Sequence, residues 1–590
     1  MIWIQLLTIY ILKNFCIKEC PVTEKPWLKC YDPEVPPAVD YDGSTIPSLL
    51  EKSIAAFSRQ QAVDFFGFTM TYAELRTAIE QFTRVLHSLG LGKGERVALF
   101  LPNCPHFIIA YYAALRLGAV IVPTNPLYSE KELEFQIRDS GAETLVTLDL
   151  LYPKVYKVQP SVGLKRIIVG RIQDYLPPLK KFIYPIIAQK GTENVPLEEK
   201  NGVRLYHKLM KSKAPDCPLP KLSGEDLAIL QYTGGTTGSA KGAMLTHKNI
   251  VINNTMMRYW YTDLRPGKEI FIAVLPFFHT YGMATALNLP LSAGASIILF
   301  PKFVAKDILK AIDSHKATFL PGIPTIYSVL GTFRDIGKYT ISTIRYCVSG
   351  AAPLPGTVLK DFERLTGGII IEGYGLSEAS PVTHCNPLRN ARKEGSIGMP
   401  VPGTDCKIVD METGDDLPLG STGELCIRGP QVMQGYWNRP EETAATLRDG
   451  WLYTGDIARM DEDGYFFIVE RKKDMIISEG FNIYPREIEE FLLTHPKVAD
   501  SSVIGMPDKI RGERVYAFVV LKEGAAATPE EIVRFCKEHL VRYKVPRKVL
   551  FRDSIPRNLA GKNLRRVLRE EAAGLAATDD EREDAQQAEK

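Results

Sequence analysis

"TYAELRTAIEQFTRVLHSLG", residues 71–90, is followed shortly by "RVALFLP", residues 96–102. Apolar residues in the first stretch recur at helical spacing and a glycine closes it, so it predicts a helix; the second is an apolar run of strand length and predicts a buried strand. The order returns at "HFIIAYYAALRLGAVIVPTNP" (106–126), at "VAKDILKAIDSHKATFLPG" (304–322) and at "LPGTVLKDFERLTGGIIIEGYG" (354–375). Such alternation predicts an α/β fold of parallel sheets covered by helices, whose ligands bind beyond the carboxyl ends of the strands. "QYTGGTTG" and "IEGYGLSE" directly follow such strands, so function is expected there.

The stretch "YTGGTTGSAKG", residues 232–242, has no apolar face and cannot be held by burial. Clustered glycines point to positive φ or to a ligand close to the backbone. Backbone N–H groups and hydroxyls facing one cavity, with Lys241 beside them, make a receptor for a polyanion such as phosphate. Lys241 follows Ala240 and precedes Gly242, so the pattern G-x-x-x-x-G-K-[ST] is absent and a different phosphate loop is implied. A plain surface loop of small residues is the competing explanation.

A chain of 590 residues exceeds what one growing core accommodates, so more than one domain is expected. A formal net charge of +3 is too small at this size for nucleic-acid binding to be the main role, and no zinc-finger spacing appears. The ten cysteines are scattered without a C-x-x-C pair, which fits reduced thiols in a cytoplasmic protein. Residues 1–21 are apolar at first and lack the basic leader of a signal peptide; they read as an extension or a dispensable appendage. Residues 571–590 end in "ATDDEREDAQQAEK" and read as a disordered tail. Between them, the expected order is a large N-terminal domain over 22–470, a hinge at 471–474 and a small mobile α+β domain over 475–570. The large domain is expected to end in a small β-subdomain, because "TDCKIVD", "TGELCIRG" and "GYFFIVE" are short strands set among turn residues.

Several further residues are weak signals singly. Glu378 in "EGYGLSE" also fits a helix first-turn acid, Asp456 in "GWLYTGD" an Asx-turn, and Lys562 in "PRNLAGK" a solvated lysine. Taken in order, "YTGGTTGSAKG", "GAAP", "EGYGLSE", "GWLYTGD", "VERKKD" and "PRNLAGK" resemble the successive core motifs of the adenylate-forming superfamily, over about residues 46–570. "DGWLYTGDIARMDEDGYFFIVERKKDMIISEGFNIYPREIE" (449–489) is similar to the stretch diagnostic of fatty acyl-CoA synthetases, and the nearest likeness is to bacterial long-chain fatty-acid-CoA ligases.

The resemblance implies a two-step reaction: a fatty carboxylate joins the α-phosphate of ATP with loss of pyrophosphate, and the acyl group then passes to coenzyme A. Two anions must meet; unit charges at about 4 Å repel by roughly 4 kcal/mol at an effective dielectric near 20. The resemblance assigns Mg2+ to Thr236 and Glu378, and the β- and γ-phosphates to Thr233, Gly234, Gly235, Thr236, Thr237, Gly238 and Lys241. It assigns adenine to Tyr374 and to the backbone of Gly350, Ala351 and Ala352, within a nucleotide site that also takes in Glu372, Gly373, Gly375, Ser377 and Ile468. Asp456 and Arg471 fall to the ribose, and Lys562 to the carboxylate and α-phosphate in the first step. Lys473 becomes a swivel that lets Lys562 and the "SEGFN" loop act in turn, with Ser478 and Gly480 along the pantetheine tunnel. His279, Tyr281 and Gly282 in "LPFFHTYGM" border the acyl pocket, although a structural histidine explains His279 equally well. Ser377 stands where threonine is commoner and keeps the hydroxyl; Gly235 stands where serine or threonine is also common.

Chain length is not legible, and medium-chain or aromatic acids remain rivals, as does an enzyme that stops at the acyl-adenylate. A non-catalytic lipid-binding protein on the same fold would be expected to lose Lys562 or Glu378. "RIQDYLPPLKKFIYPIIAQK" (171–190) mixes large apolar residues with lysines, a composition suited to peripheral docking at an anionic inner membrane face, or to a loop packed on its own domain. The resemblance also implies a homodimer, which the family often forms.

Overall fold

The computed structural model describes residues 25–182, 195, 197–233, 240–478, 481–508, 512–557 and 561–575. The opening stretch forms a helix over Tyr72–Ser88. Thr71 and Glu74 close its start reciprocally, the Thr71 side chain accepting from Glu74 N and the Glu74 carboxylate from Thr71 N at 2.7 Å. Its stripe of Leu75, Ile79, Phe82, Val85 and Leu86 is buried, and Gly90, at φ +84°, turns the chain toward the strand Arg96–Phe100. The other three repeats fold the same way: Pro105–Arg116 into Val120–Thr124, Ala305–His315 into Phe319–Gly322, and Gly356–Thr366 into Ile369–Gly375.

Contacts divide the chain into two compact units. The larger holds Asp32–Thr404, Arg428–Leu452 and the described residues from Ile555 onward. It contains a seven-stranded sheet ordered Val203–Leu205, Arg166–Gly170, Thr144–Leu148, Arg96–Phe100, Val120–Thr124, Leu227–Thr233 and Lys241–Thr246, parallel except for the final hairpin. A nine-stranded sheet has a parallel centre that includes Ile270–Ala273, Phe319–Gly322, Tyr346–Ser349 and Ile369–Gly375, with antiparallel strands at both edges. Glu269, its side chain fully buried, is bridged by Arg265 Nε at 2.8 Å and Arg345 Nη1 at 2.7 Å. It ties the entry of Ile270–Ala273 to that of Tyr346–Ser349, beneath the loops that follow these strands.

The smaller unit comprises Asp405–Ile427 and Tyr453–Ser554 with the described residues up to Tyr31. Its β-rich part includes Asp405–Val409 and Phe466–Arg471, the latter antiparallel to Trp451–Met460. A second five-stranded sheet is built on Val498–Asp508 against Gly512–Leu521. The helices Pro485–Leu492 and Pro529–His539 bury Ile488, Leu492, Ile532 and Cys536 in its core.

The two units are drawn differently from the expected domains: the β-rich segments group with the residues that follow them, and the chain from Ile555 groups with the larger unit. Residues 565–575 are helical, so the expected tail begins inside a helix; 576–590 lie outside the described residues. Leu568 and Ala572, one helical turn apart and buried, form an apolar stripe that the surrounding charges hide in the sequence.

Candidate active site

The strands that flank the glycine-rich stretch, Leu227–Thr233 and Lys241–Thr246, pair antiparallel and are each held by further contacts. Thr233 lies opposite Lys241, and the Thr233 hydroxyl donates to the Lys241 carbonyl at 3.5 Å. Gly234, Gly235, Thr236, Thr237 and Gly238 lie outside the described residues. Below them, residues 434–437 add a third course of backbone bonds: Gln434 N to Met244 O at 3.0 Å, Met244 N to Gly435 O at 2.9 Å and Trp437 N to Gly242 O at 2.8 Å. On the other strand the Tyr232 hydroxyl donates to Asp139 Oδ2 at 2.7 Å, and Arg439 pairs with Oδ1 of the same carboxylate at 2.7 Å. Lys241 Nζ lies 5.3 Å from the Tyr436 ring centroid, a cation–π contact.

Tyr436 reaches a second predicted residue, its hydroxyl donating to Glu378 Oε1 at 2.8 Å. Glu378 belongs to the short turn Ser377–Ala379 that follows the strand Ile369–Gly375, and its carbonyl accepts from Met433 N at 2.8 Å. Ser377 Oγ is 3.3 Å from Thr280 Oγ1. Within the strand, Tyr374 meets His384 edge-on at 5.7 Å, and the buried Glu372 accepts from Leu354 N at 3.2 Å. The neighbouring strand ends at Ser349, opposite Glu372. A methyl group on Gly350 would lie 3.1 Å from Tyr281 Cζ and 3.4 Å from the Gly373 carbonyl, so the two predicted adenine-binding segments approach closely only because a glycine stands there. Ala351 follows at φ +69° and leads to Ala352.

The Tyr281 hydroxyl shares its one proton between Val348 O at 2.7 Å and Gly322 O at 3.0 Å, which fixes the ring beside Gly350. His279 caps the short helix Thr280–Gly282, its Nδ1 accepting from Tyr281 N at 3.2 Å. Burial, reinforced by the positive charge of Lys562, holds the His279 pKa down to about 4. Lys562 thus approaches from the returning C-terminal segment, where Gly561, at φ +77°, leaves 3.7 Å between a built methyl position and Ile323 Cδ1. Thr233, Lys241, His279, Tyr281, Gly282, Gly350–Ala352, Glu372–Gly375, Ser377, Glu378 and Lys562 all belong to the larger unit.

Asp456, Ile468, Arg471, Lys473 and Ser478 belong to the smaller unit. Asp456 lies opposite Arg471 in antiparallel register, and Arg471 Nε is 3.1 Å from Asp456 Oδ1. The preceding turn is pinned, with Gly455 N donating to Glu424 Oε1 and Lys472 Nζ pairing with Oε2 of the same carboxylate at 2.8 Å. Ile468 O accepts from Arg486 Nη1 at 2.8 Å. Lys473 lies in the exposed turn between Arg471 and Asp474, and Ser478 pairs with Phe481 at the end of a hairpin. Gly480 lies outside the described residues.

Tyr436 is the functional candidate that the sequence reading passed over. A single tyrosine in "GYWNRP" has no periodic or spacing signal, and its two polar contacts come from distant segments. The buried cysteines offer no rival nucleophile: burial raises Cys104 to about 12 and Cys536 to about 11. In the basic apolar stretch, Leu179 and Phe182 are 73% and 80% exposed, and residues 183–190 lie outside the described residues. Among the described residues no helix is long and apolar enough to cross a membrane.

Residues 50–437 match the AMP-binding enzyme model and residues 487–562 the AMP-binding enzyme C-terminal domain; the chain belongs to the AMP-binding enzyme family. A long-chain-fatty-acid–CoA ligase of Bacillus subtilis (strain 168) is 45% identical, over 93% of this chain and 98% of that protein. Another of Yersinia pestis is 39% identical, over 94% of this chain and 100% of that protein. ATP-bound MatB from Rhodopseudomonas palustris is 31% identical and superposes with a TM-score of 0.76, over 89% of this chain and 99% of that one.

Proposed function

We propose that this protein is an ATP-dependent long-chain fatty-acid-CoA ligase. In the first step a carboxylate oxygen of the fatty acid attacks the α-phosphorus of ATP, and the bond to the β-phosphate breaks to release pyrophosphate. In the second the thiol sulfur of coenzyme A attacks the acyl carbon, AMP leaves, and the thiol proton passes to solvent. The observation that carries this reading is the 45% and 39% identity, over nearly the whole chain, to proteins named long-chain-fatty-acid–CoA ligase.

The chain's own residues have chemistry suited to the steps. Lys562, brought near His279, is assigned to the charge that shifts between carboxylate and α-phosphate. Lys241 and Thr233 stand at the base of the phosphate hairpin, Tyr374 and the Gly350–Ala352 backbone take adenine, and the Asp456–Arg471 pair takes the ribose hydroxyls. Neutral His279 can stand beside an acyl chain without placing a charge there. Among the described residues the Glu378 carboxylate makes no ion pair, and one of its oxygens is held by a hydroxyl, so this hard oxygen donor fits a magnesium ion. Bound with Thr236 and Glu378, magnesium would neutralise phosphate charge. The two half-reactions draw in turn on Lys562 and on the Ser478–Gly480 loop, with Lys473 as the swivel. Exposed Leu179 and Phe182 beside Lys181 support transient docking on anionic lipid, from which the substrate is taken.

The test is a coupled assay of AMP release and thioester formation with ATP, magnesium, coenzyme A and acids from acetate through octanoate, palmitate and oleate to coumarate. Turnover greatest on palmitate or oleate is expected. Preference for octanoate or coumarate would move the substrate class, AMP without thioester would indicate an acyl-adenylate ligase, and no turnover would leave a lipid-binding role. Phe182→Asp is expected to reduce co-sedimentation with phosphatidylglycerol vesicles while leaving turnover of micelle-free octanoate unchanged; unchanged sedimentation would refute the docking.

A further inference from the structure

We propose that Tyr436 is a positioning residue for adenylation, one phenol that orients the cation-holding Glu378 and seats Lys241 at the same time. The inference rests on the reading of Glu378 as a magnesium ligand and Lys241 as a phosphate contact. The Tyr436 hydroxyl gives its one proton to Glu378 Oε1 at 2.8 Å, and its ring carries the Lys241 ammonium at 5.3 Å. Lys241 and Glu378 are opposite charges, and a direct ion pair between them would tie up both groups. In the structure each engages a different part of one side chain instead.

The ring is fixed from its own backbone. Tyr436 bridges to Ala243 of the hairpin, and its N–H donates to Thr443 Oγ1 at 2.9 Å, a hydroxyl that itself donates to Arg439 O at 2.7 Å. Gly435, at φ +143°, permits that contact, since a built methyl there would lie 2.6 Å from Thr443 Cγ2. Trp437 Nε1 donates to Asp139 O at 3.2 Å on the far side. A carboxylate held through one oxygen by a fixed hydroxyl presents its other oxygen in a set direction, the role that outer hydrogen bonds play for metal ligands in general.

Tyr436→Phe keeps the ring under Lys241 and removes only the hydroxyl, so it separates the two contacts. Calorimetric binding of ATP is measured in excess magnesium and in EDTA, alongside the thermal midpoint of each variant. In Tyr436→Phe the tightening of ATP by magnesium is expected to shrink about tenfold, with affinity in EDTA kept within about twofold and the midpoint retained. Tyr436→Leu, which also removes the seat of Lys241, is expected to weaken binding in both buffers. Magnesium dependence unchanged in Tyr436→Phe, or an equal loss in both buffers, would overturn the proposal. If the unaltered protein binds ATP in neither buffer, the reading of the site beneath it falls as well.

Discussion

Lys562 carries a charge to His279 from the far end of the chain, and that approach frames the sharpest test of the chemistry. Lys562→Ala is expected to slow acid-dependent pyrophosphate exchange at least about 100-fold, the scale of removing a donor aimed at developing charge, and to spare thiolysis of a supplied acyl-adenylate. Lys473→Pro, which fixes φ at the proposed swivel, is expected to give the converse pattern, with exchange retained and thioester formation lost. Equal loss of both half-reactions in either variant would contradict their separate use. These residues were legible in the sequence only as members of an ordered set of motifs, because a lysine after a glycine means little without its neighbours. Tyr436 was not legible even so: its meaning lies in contacts to Glu378 and Lys241, which no local pattern encodes.

At the level of elements, the helix-to-strand repeats are written in apolar periodicity and glycine stops, and each appears where its residues placed it. The helix over 565–575 was missed because two buried positions, Leu568 and Ala572, sit among charges. Strand order was equally hidden, since parallel neighbours such as Ile270–Ala273 and Phe319–Gly322 are distant in sequence and no side-chain rule pairs them. A buried carboxylate also ties two strands of this sheet at their entry. Arg265 is half exposed and Arg345 keeps Asp263, so Glu269→Ala removes only charge-assisted hydrogen bonds and is expected to cost about 1.5 kcal/mol, read from urea unfolding. An unfolding free energy within about 0.5 kcal/mol of the parent would show that the sheet entry needs no such tie.

Across the whole molecule, three histidines are kept neutral by their surroundings. Burial lowers His279 and His247 to about 4 and His384 to about 3, against an ordinary value near 6.5. Between those limits the unfolded chain binds protons that the folded chain refuses, so stability rises with pH and is lost as pH falls from 6.5 toward 4. The thermal midpoint is expected to drop steadily over that window, and His384→Asn to flatten the slope; a midpoint constant from pH 6.5 to 4.5 would refute the account. The hairpin at Thr233 and Lys241 has one more consequence. Asp139 grips one of its strands and residues 434–437 grip the other, so the two strands are held by contacts that do not involve residues 234–239. A library that randomises only Gly234–Ser239 is therefore expected to vary the proposed triphosphate contact while leaving the anchored strands unaltered, whereas the same diversity spread to Thr233 and Lys241 would reach the anchored strands themselves.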